Sequence, residues 1–253
     1  MLSQAVWYGG FALEVLLLVR AFRGKLASRY PIFYTYIFWV LIQSSARLLV
    51  HHRAPKLYPE FYWTTEILGV FVGCAIVFEI CRVILASYPG TARMARKLLG
   101  LVFALAVGKA LLTAAINPEW WDVSTRMDLE LSLRIVQAVA ILALVALFLS
   151  YSIPMGRNLR GILLGYGVFV GLSVIQLTFA SAGGTNFVRF WSYVHPISYD
   201  VVLCVWIMHL WSYRENPVPH ANVQLEQQYQ KVATSTSQRL REARGYLAKV
   251  VWP

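Results

Sequence analysis

Charge is scarce in this chain. Only 14% of its 253 residues are Asp, Glu, Lys or Arg, against about 25% in ordinary soluble domains. That scarcity argues against a water-soluble globular protein. Cysteine is scarce as well. Cys74, Cys81 and Cys204 all fall inside apolar blocks and none has metal-ligand spacing, so neither a disulfide framework nor a thiolate metal site is expected. No basic stretch precedes the first apolar block, whose first charge is Glu14. That block is therefore expected to be a retained span rather than a cleaved signal peptide.

Several chemical signatures are missing too. There is no HExxH, no G-x-S-x-G and no P-loop, which removes the common zincin, hydrolase and nucleotide-binding patterns. The last apolar block has no lysine for a retinal Schiff base. His195 and His209 are fourteen residues apart on one helix, roughly 21 Å by helical rise, so they do not ligate one haem together. A haem route would need His51 or His52 to meet His195. The net charge of +11 has no nucleic-acid module around it. No cofactor and no metal site is expected. Ser198, His195 and Asp200 leave an intramembrane enzyme as an alternative reading.

What the chain has is apolar sequence in long blocks. The hydrophobic set makes up 58% of residues and the mean hydropathy is +0.56. Seven blocks approach the ~20 residues that a helix needs to cross the bilayer. They cover 7–22, 32–50, 61–86, 98–116, 131–151, 161–182 and 191–213. The expected fold class is all-α, a polytopic seven-helix transmembrane bundle (residues 1–213) followed by a cytoplasmic tail (214–253) with an amphipathic helix. Trp and Tyr cluster at block ends, as in Trp7, Tyr8, Trp63, Trp120 and Trp121, where interfacial aromatic belts lie.

The loops orient the bundle. One set carries nine basic residues, including Arg23, Lys25, Arg29, Arg93, Arg96 and Lys97; the opposite set carries four, Arg53, Lys56, Arg126 and Arg189. Basic loops stay in the cytoplasm, so the N-terminus is expected outside and the C-terminus inside, in a cell membrane.

Phe61–Trp63 opens the third block and Phe190–Trp191 the seventh, about 128 residues later. Such an echo suits a 3+1+3 arrangement, with the fourth span linking two parallel triplets as in small repeat-built transporters.

Charge inside a span is costly, and each instance needs a partner or a function. Arg47, Glu66, Lys109, Arg134, His195 and Asp200 all fall in the outer half of the expected bundle. They are the candidate ligand-binding residues, centred on Glu66 and Asp200. Glu79, His209 and Glu14 are candidates for a proton or solute path. A polar pocket, a set of buried ion pairs and a partner-protein contact are the three competing readings. Glu130 and Arg134, four residues apart, suit a helical ion pair. The glycines of GxxxG at 69–73 and of Gly161, Gly165, Gly167 and Gly171 suit close helix packing.

The tail repeats Leu225, Tyr229, Val232 and Leu240 on one side and ends in a basic stretch, Arg239 to Lys249. It suits docking on anionic lipid or on an integral or cytoplasmic protein partner. The function expected from all this is a receptor-like or accessory membrane subunit that binds a small ligand or a membrane partner and has no catalytic domain. A small solute or proton-coupled transporter is the alternative.

Overall fold

The computed structural model describes residues 2–85, 89–116, 123–151, 155–180 and 184–215, together with 227, 231, 232, 234–236 and 238. Almost all of these are helical, and no strand occurs among them. The helices are α1 (Leu2–Arg23), the single turn α2 (Leu26–Arg29), α3 (Pro31–Arg53), α4 (Tyr58–Ile84), α5 (Pro89–Ile116), α6 (Val123–Tyr151), α7 (Arg157–Ala180) and α8 (Gly184–Leu210). A short 3-10 turn at Pro55–Leu57 joins α3 to α4. Segment 117–122 and the tail residues Leu225, Tyr229 and Leu240 lie outside the described residues.

Five segments are long and apolar enough to cross a bilayer: Pro31–Arg53, Pro55–Ile84, Arg126–Ala146, Arg157–Phe179 and Phe190–Leu210. The protein is therefore a multi-pass membrane protein. The other two expected spans correspond to α1, with 22 residues, and α5, with 28. Both are long enough for the hydrocarbon at 1.5 Å per residue, but their composition is more polar. Helix α1 carries Ser3, Gln4, Glu14 and Arg20, and α5 opens with Arg93, Arg96 and Lys97 and contains Lys109.

Six of the long helices close into a ring. Following neighbours in space, α1 packs on α3, α3 on α4, α4 on α6, α6 on α7, α7 on α8, and α8 returns to α1. Helix α5 is outside this ring and leans on α4 and α6. Its Leu98, Leu101, Leu105, Leu112 and Ile116 are each more than half exposed. In water that row would be a large apolar patch; against lipid tails it is an ordinary surface.

Side-chain contacts fix the direction of the helices. Arg47, late in α3, meets Glu66, early in α4, and Arg134, early in α6, meets the same carboxylate. At the opposite end, Arg20 near the close of α1 donates to the Trp211 carbonyl just after α8, at 2.9 Å. One end of the ring thus gathers the starts of α1, α4, α6 and α8 with the finishes of α3 and α7; it is termed the mouth. The other end is termed the floor.

The floor is packed, and side chains satisfy two of its helix ends, the start of α3 and the end of α8. Helix α3 opens with Pro31, which has no N–H. The next two donors, on Ile32 and Phe33, reach the Glu79 carboxylate of α4 at 3.0 and 2.8 Å. Glu79 thus caps α3 from a neighbouring helix, where an anion also suits the helix dipole. At the end of α8, the Asn158 amide donates to the carbonyls of His209 and Ser212, both at 2.9 Å. Arg157 donates to the Met208 carbonyl. These donors take carbonyls that a helix terminus leaves open.

Inside the ring, the floor half is filled by aromatic side chains. Trp206, fully buried, meets Phe33 edge-on at 5.0 Å, and Tyr36 meets Tyr166 in the same way at 6.0 Å. Glycines admit this packing. A Cβ on Gly165 would collide with the Trp206 indole, and one on Gly161 with the Cβ of His209. Helices α7 and α8 therefore approach as small-residue interfaces allow.

Candidate functional site

The mouth half of the ring is not filled. It holds a cavity of ≈ 1020 Å³, to which all six ring helices contribute, with no lining residue from α5 among the described residues. Trp7 and Tyr8 come from α1, Arg47 and Leu48 from α3, Tyr62 and Glu66 from α4, Glu130 and Arg134 from α6, Gln176 from α7, and His195 and Pro196 from α8.

Four charges run along its wall. Glu66 sits between two guanidinium groups, with its Oε2 2.9 Å from Arg47 Nη2 and its Oε1 3.0 Å from Arg134 Nη2. Gln43 donates to the same carboxylate at 3.2 Å. Arg134 also faces Glu130, one turn back on α6, at 3.5 Å. The chain Arg47–Glu66–Arg134–Glu130 therefore alternates in sign and sums to zero. Arg134 is 3% exposed and Glu130 7%, so each depends on its neighbours. Removing one member would leave an uncompensated buried charge, which costs about 3–5 kcal/mol.

Arg47 is held rigidly. Its Nε donates to Thr65 Oγ1 at 3.0 Å, and its Nη2 to the Tyr62 carbonyl and Thr65 Oγ1, both at 2.9 Å. Its guanidinium lies 4.1 Å from the centre of the Tyr62 ring, a cation–π arrangement that adds to the fixation. Arg134 lies 5.0 Å from the Phe169 ring centre in the same manner. Both guanidinium groups are thus held in fixed orientations.

Of the candidates taken from the sequence, Arg47, Glu66, Arg134 and His195 come together at this cavity. Asp200 is not among its lining residues. It turns toward α1, where a Cβ on Gly10 would stand 2.7 Å from its Oδ1. Lys109 belongs to α5, outside the ring, and its side chain lies outside the described residues. The three path candidates are separate from one another. Glu79 caps α3. His209 pairs its Nδ1 with the Val205 carbonyl of its own helix at 2.9 Å. Glu14, 2% exposed, accepts from the Tyr199 hydroxyl at 3.0 Å between α1 and α8.

Other lining residues were harder to find from sequence. Trp7, Tyr8 and Tyr58 read as interfacial anchors, and His51 and His52 as loop residues, yet all five line the cavity. Their shared signal is a position at the same end of a span. No group of three or more His, Cys, Asp or Glu placed to hold a metal ion occurs among the described residues.

The cavity and the ion pairs are one arrangement. The pairs brace α3, α4 and α6, and they also form part of the wall that a solute would touch. No protein family, no characterised protein and no solved structure matches this chain.

Proposed function

We propose that this chain is a seven-span membrane protein that binds a small polar ligand in its central cavity from the outer face. It acts as a receptor-like or accessory subunit with no catalytic domain of its own. The seven spans are the five apolar segments together with α1 and α5. The N-terminus is outside, because the basic loops lie at the floor end and such loops remain in the cytoplasm. The cavity then opens outward. The observation that carries the reading is the oriented Arg47–Glu66–Arg134–Glu130 chain on the wall of an axial cavity whose volume suits a small molecule. Purification in native lipid followed by mass spectrometry tests it. A small molecule should co-elute stoichiometrically with the native chain and be lost from Arg47→Met.

Transport is the second reading, and one observation favours it. Helix α5 lies outside a ring whose two halves are α1–α3–α4 and α6–α7–α8, as a 3+1+3 arrangement requires of its linking span. Uptake of the co-eluting molecule into liposomes would support transport. Binding without uptake would favour the receptor-like role. The tail is proposed to dock as an amphipathic helix on the cytoplasmic face, held by the lipid surface or by a protein partner. Limited proteolysis in nanodiscs tests it, since rapid cleavage throughout 222–250 would rule it out.

A further inference from the structure

We propose that the ligand of the central cavity is a small zwitterion, with an anionic oxygen group at one end and an ammonium at the other. This rests on the cavity being a ligand site, and it adds the chemical class.

The first ground is the charge balance of the wall. Two guanidinium groups and two carboxylates alternate and cancel. A ligand with net charge would enter a partly desolvated site whose fixed charges already cancel, with only the imidazoles of His51, His52 and His195 left to offset it, which is expensive. A molecule with both signs meets both signs.

The second ground is that these four groups are unequally engaged. Glu66 is held by both arginines at 2.9 and 3.0 Å, so its carboxylate is already spent within the protein. The hydrogen bonds of Arg47 to described residues use Nε and Nη2, which leaves the Nη1 edge of a fixed guanidinium to donate to an anionic oxygen group. Glu130 meets Arg134 only at 3.5 Å, the long limit for such a bond. It is the carboxylate of the wall most able to take an ammonium. The two open ends lie on different helices, α3 and α6, and both line the one cavity.

The third ground is the aromatic lining. Trp7, Tyr58, Tyr62 and Trp63 border the same space, and aromatic faces favour ammonium groups, quaternary ones included. Free amino acids and betaines carry this chemistry, and so do the headgroups of phosphatidylcholine and phosphatidylethanolamine.

The test uses the full-length protein in phosphatidylglycerol nanodiscs, with titration calorimetry of four probes. Glycine betaine and γ-aminobutyrate carry both charges; acetate and tetramethylammonium each carry one. At least one zwitterion should bind about tenfold or more tightly than either half. Glu130→Gln and Arg47→Met should each weaken it by a similar factor, with Arg47→Lys intermediate because the charge remains and the planar fork does not. Thermal unfolding of each variant separates lost binding from lost fold. Nanodiscs made with phosphatidylcholine or phosphatidylethanolamine distinguish the sources. If a headgroup fills the cavity, the free zwitterion is displaced there and phosphocholine or phosphoethanolamine competes in its place; either source supports the proposal. Three results would overturn it: acetate or tetramethylammonium binding as tightly as the zwitterions, binding indifferent to both wall variants, or no zwitterion or headgroup bound up to about 10 mM. Glucose bound in an Arg47-dependent manner would retire the zwitterion and leave the cavity reading standing.

Discussion

Glu79 illustrates how a buried charge in a span can be structural. Its two oxygens take the N–H groups of Ile32 and Phe33, which follow Pro31 at the start of α3 and have no partner within their own helix. Glu79→Ala should lower stability by about 1–3 kcal/mol, because two buried donors lose their acceptor. Glu79→Gln, which keeps one acceptor oxygen, should lose less. Thermal unfolding in nanodiscs measures both, and an unchanged Tm for the alanine variant would contradict the capping role. The glycines sort in the same way by what surrounds them. Gly161→Val and Gly165→Val push into His209 and Trp206 and should each lower the Tm by several degrees. A Cβ at Gly100 or Gly108 on α5 has nothing within 4 Å. Alanine there should be neutral or slightly stabilising, since it restores helix propensity.

At this scale the sequence was informative about depth and silent about direction. Counting residues along each span put Arg47, Glu66, Arg134, His195 and Asp200 at similar heights. It did not tell which way each points. Four of them face the ring axis, while Asp200, five residues after His195 and a little over one turn further on, faces α1. Rotation about a helix is set by its neighbours, and in a span that is apolar nearly all round, periodicity marks no core face. The glycines carried more in part: Gly73, Gly161 and Gly165 mark close approach, whereas a Cβ on Gly171 would meet nothing within 4 Å.

The elements divide into ring and periphery, and α5 is the one that differs. It touches only α4 and α6 among its substantial neighbours, and its row of exposed leucines points away from the bundle. A nitroxide on Leu105→Cys, in a chain lacking the native cysteines, should be accessible to oxygen in the membrane and protected from a water-soluble nickel chelate. The opposite pattern would mean that α5 faces an aqueous space or a partner subunit. The length of α5 was legible as an apolar block; its place outside the ring was not, because that depends on which helices pair in space.

The whole molecule is asymmetric along its axis. The floor is packed with Phe33, Tyr36, Tyr166 and Trp206, and its helix ends are tied by Arg20, Glu79, Arg157 and Asn158. The mouth keeps an open polar cavity braced by ion pairs. An energetic rationale follows. Filling the mouth with aromatic residues as well would add dispersion contacts, but the chain places charges there instead, on elements that already hold them rigid. The ion pairs brace α3, α4 and α6, and the same groups line the cavity wall.

In the proposed orientation the cavity opens to the outside of the cell and the floor faces the cytoplasm. The most direct measurement is thiol labelling in intact cells with a charged, membrane-impermeant reagent. Two isosteric variants are compared in a background without Cys74, Cys81 and Cys204. Ser44→Cys lines the cavity, and Ser28→Cys lies in the turn α2 at the floor. Ser44→Cys should be labelled from outside without permeabilisation, and Ser28→Cys only after it. Labelling of Ser28→Cys in intact cells, with Ser44→Cys reacting only after permeabilisation or not at all, would contradict the account.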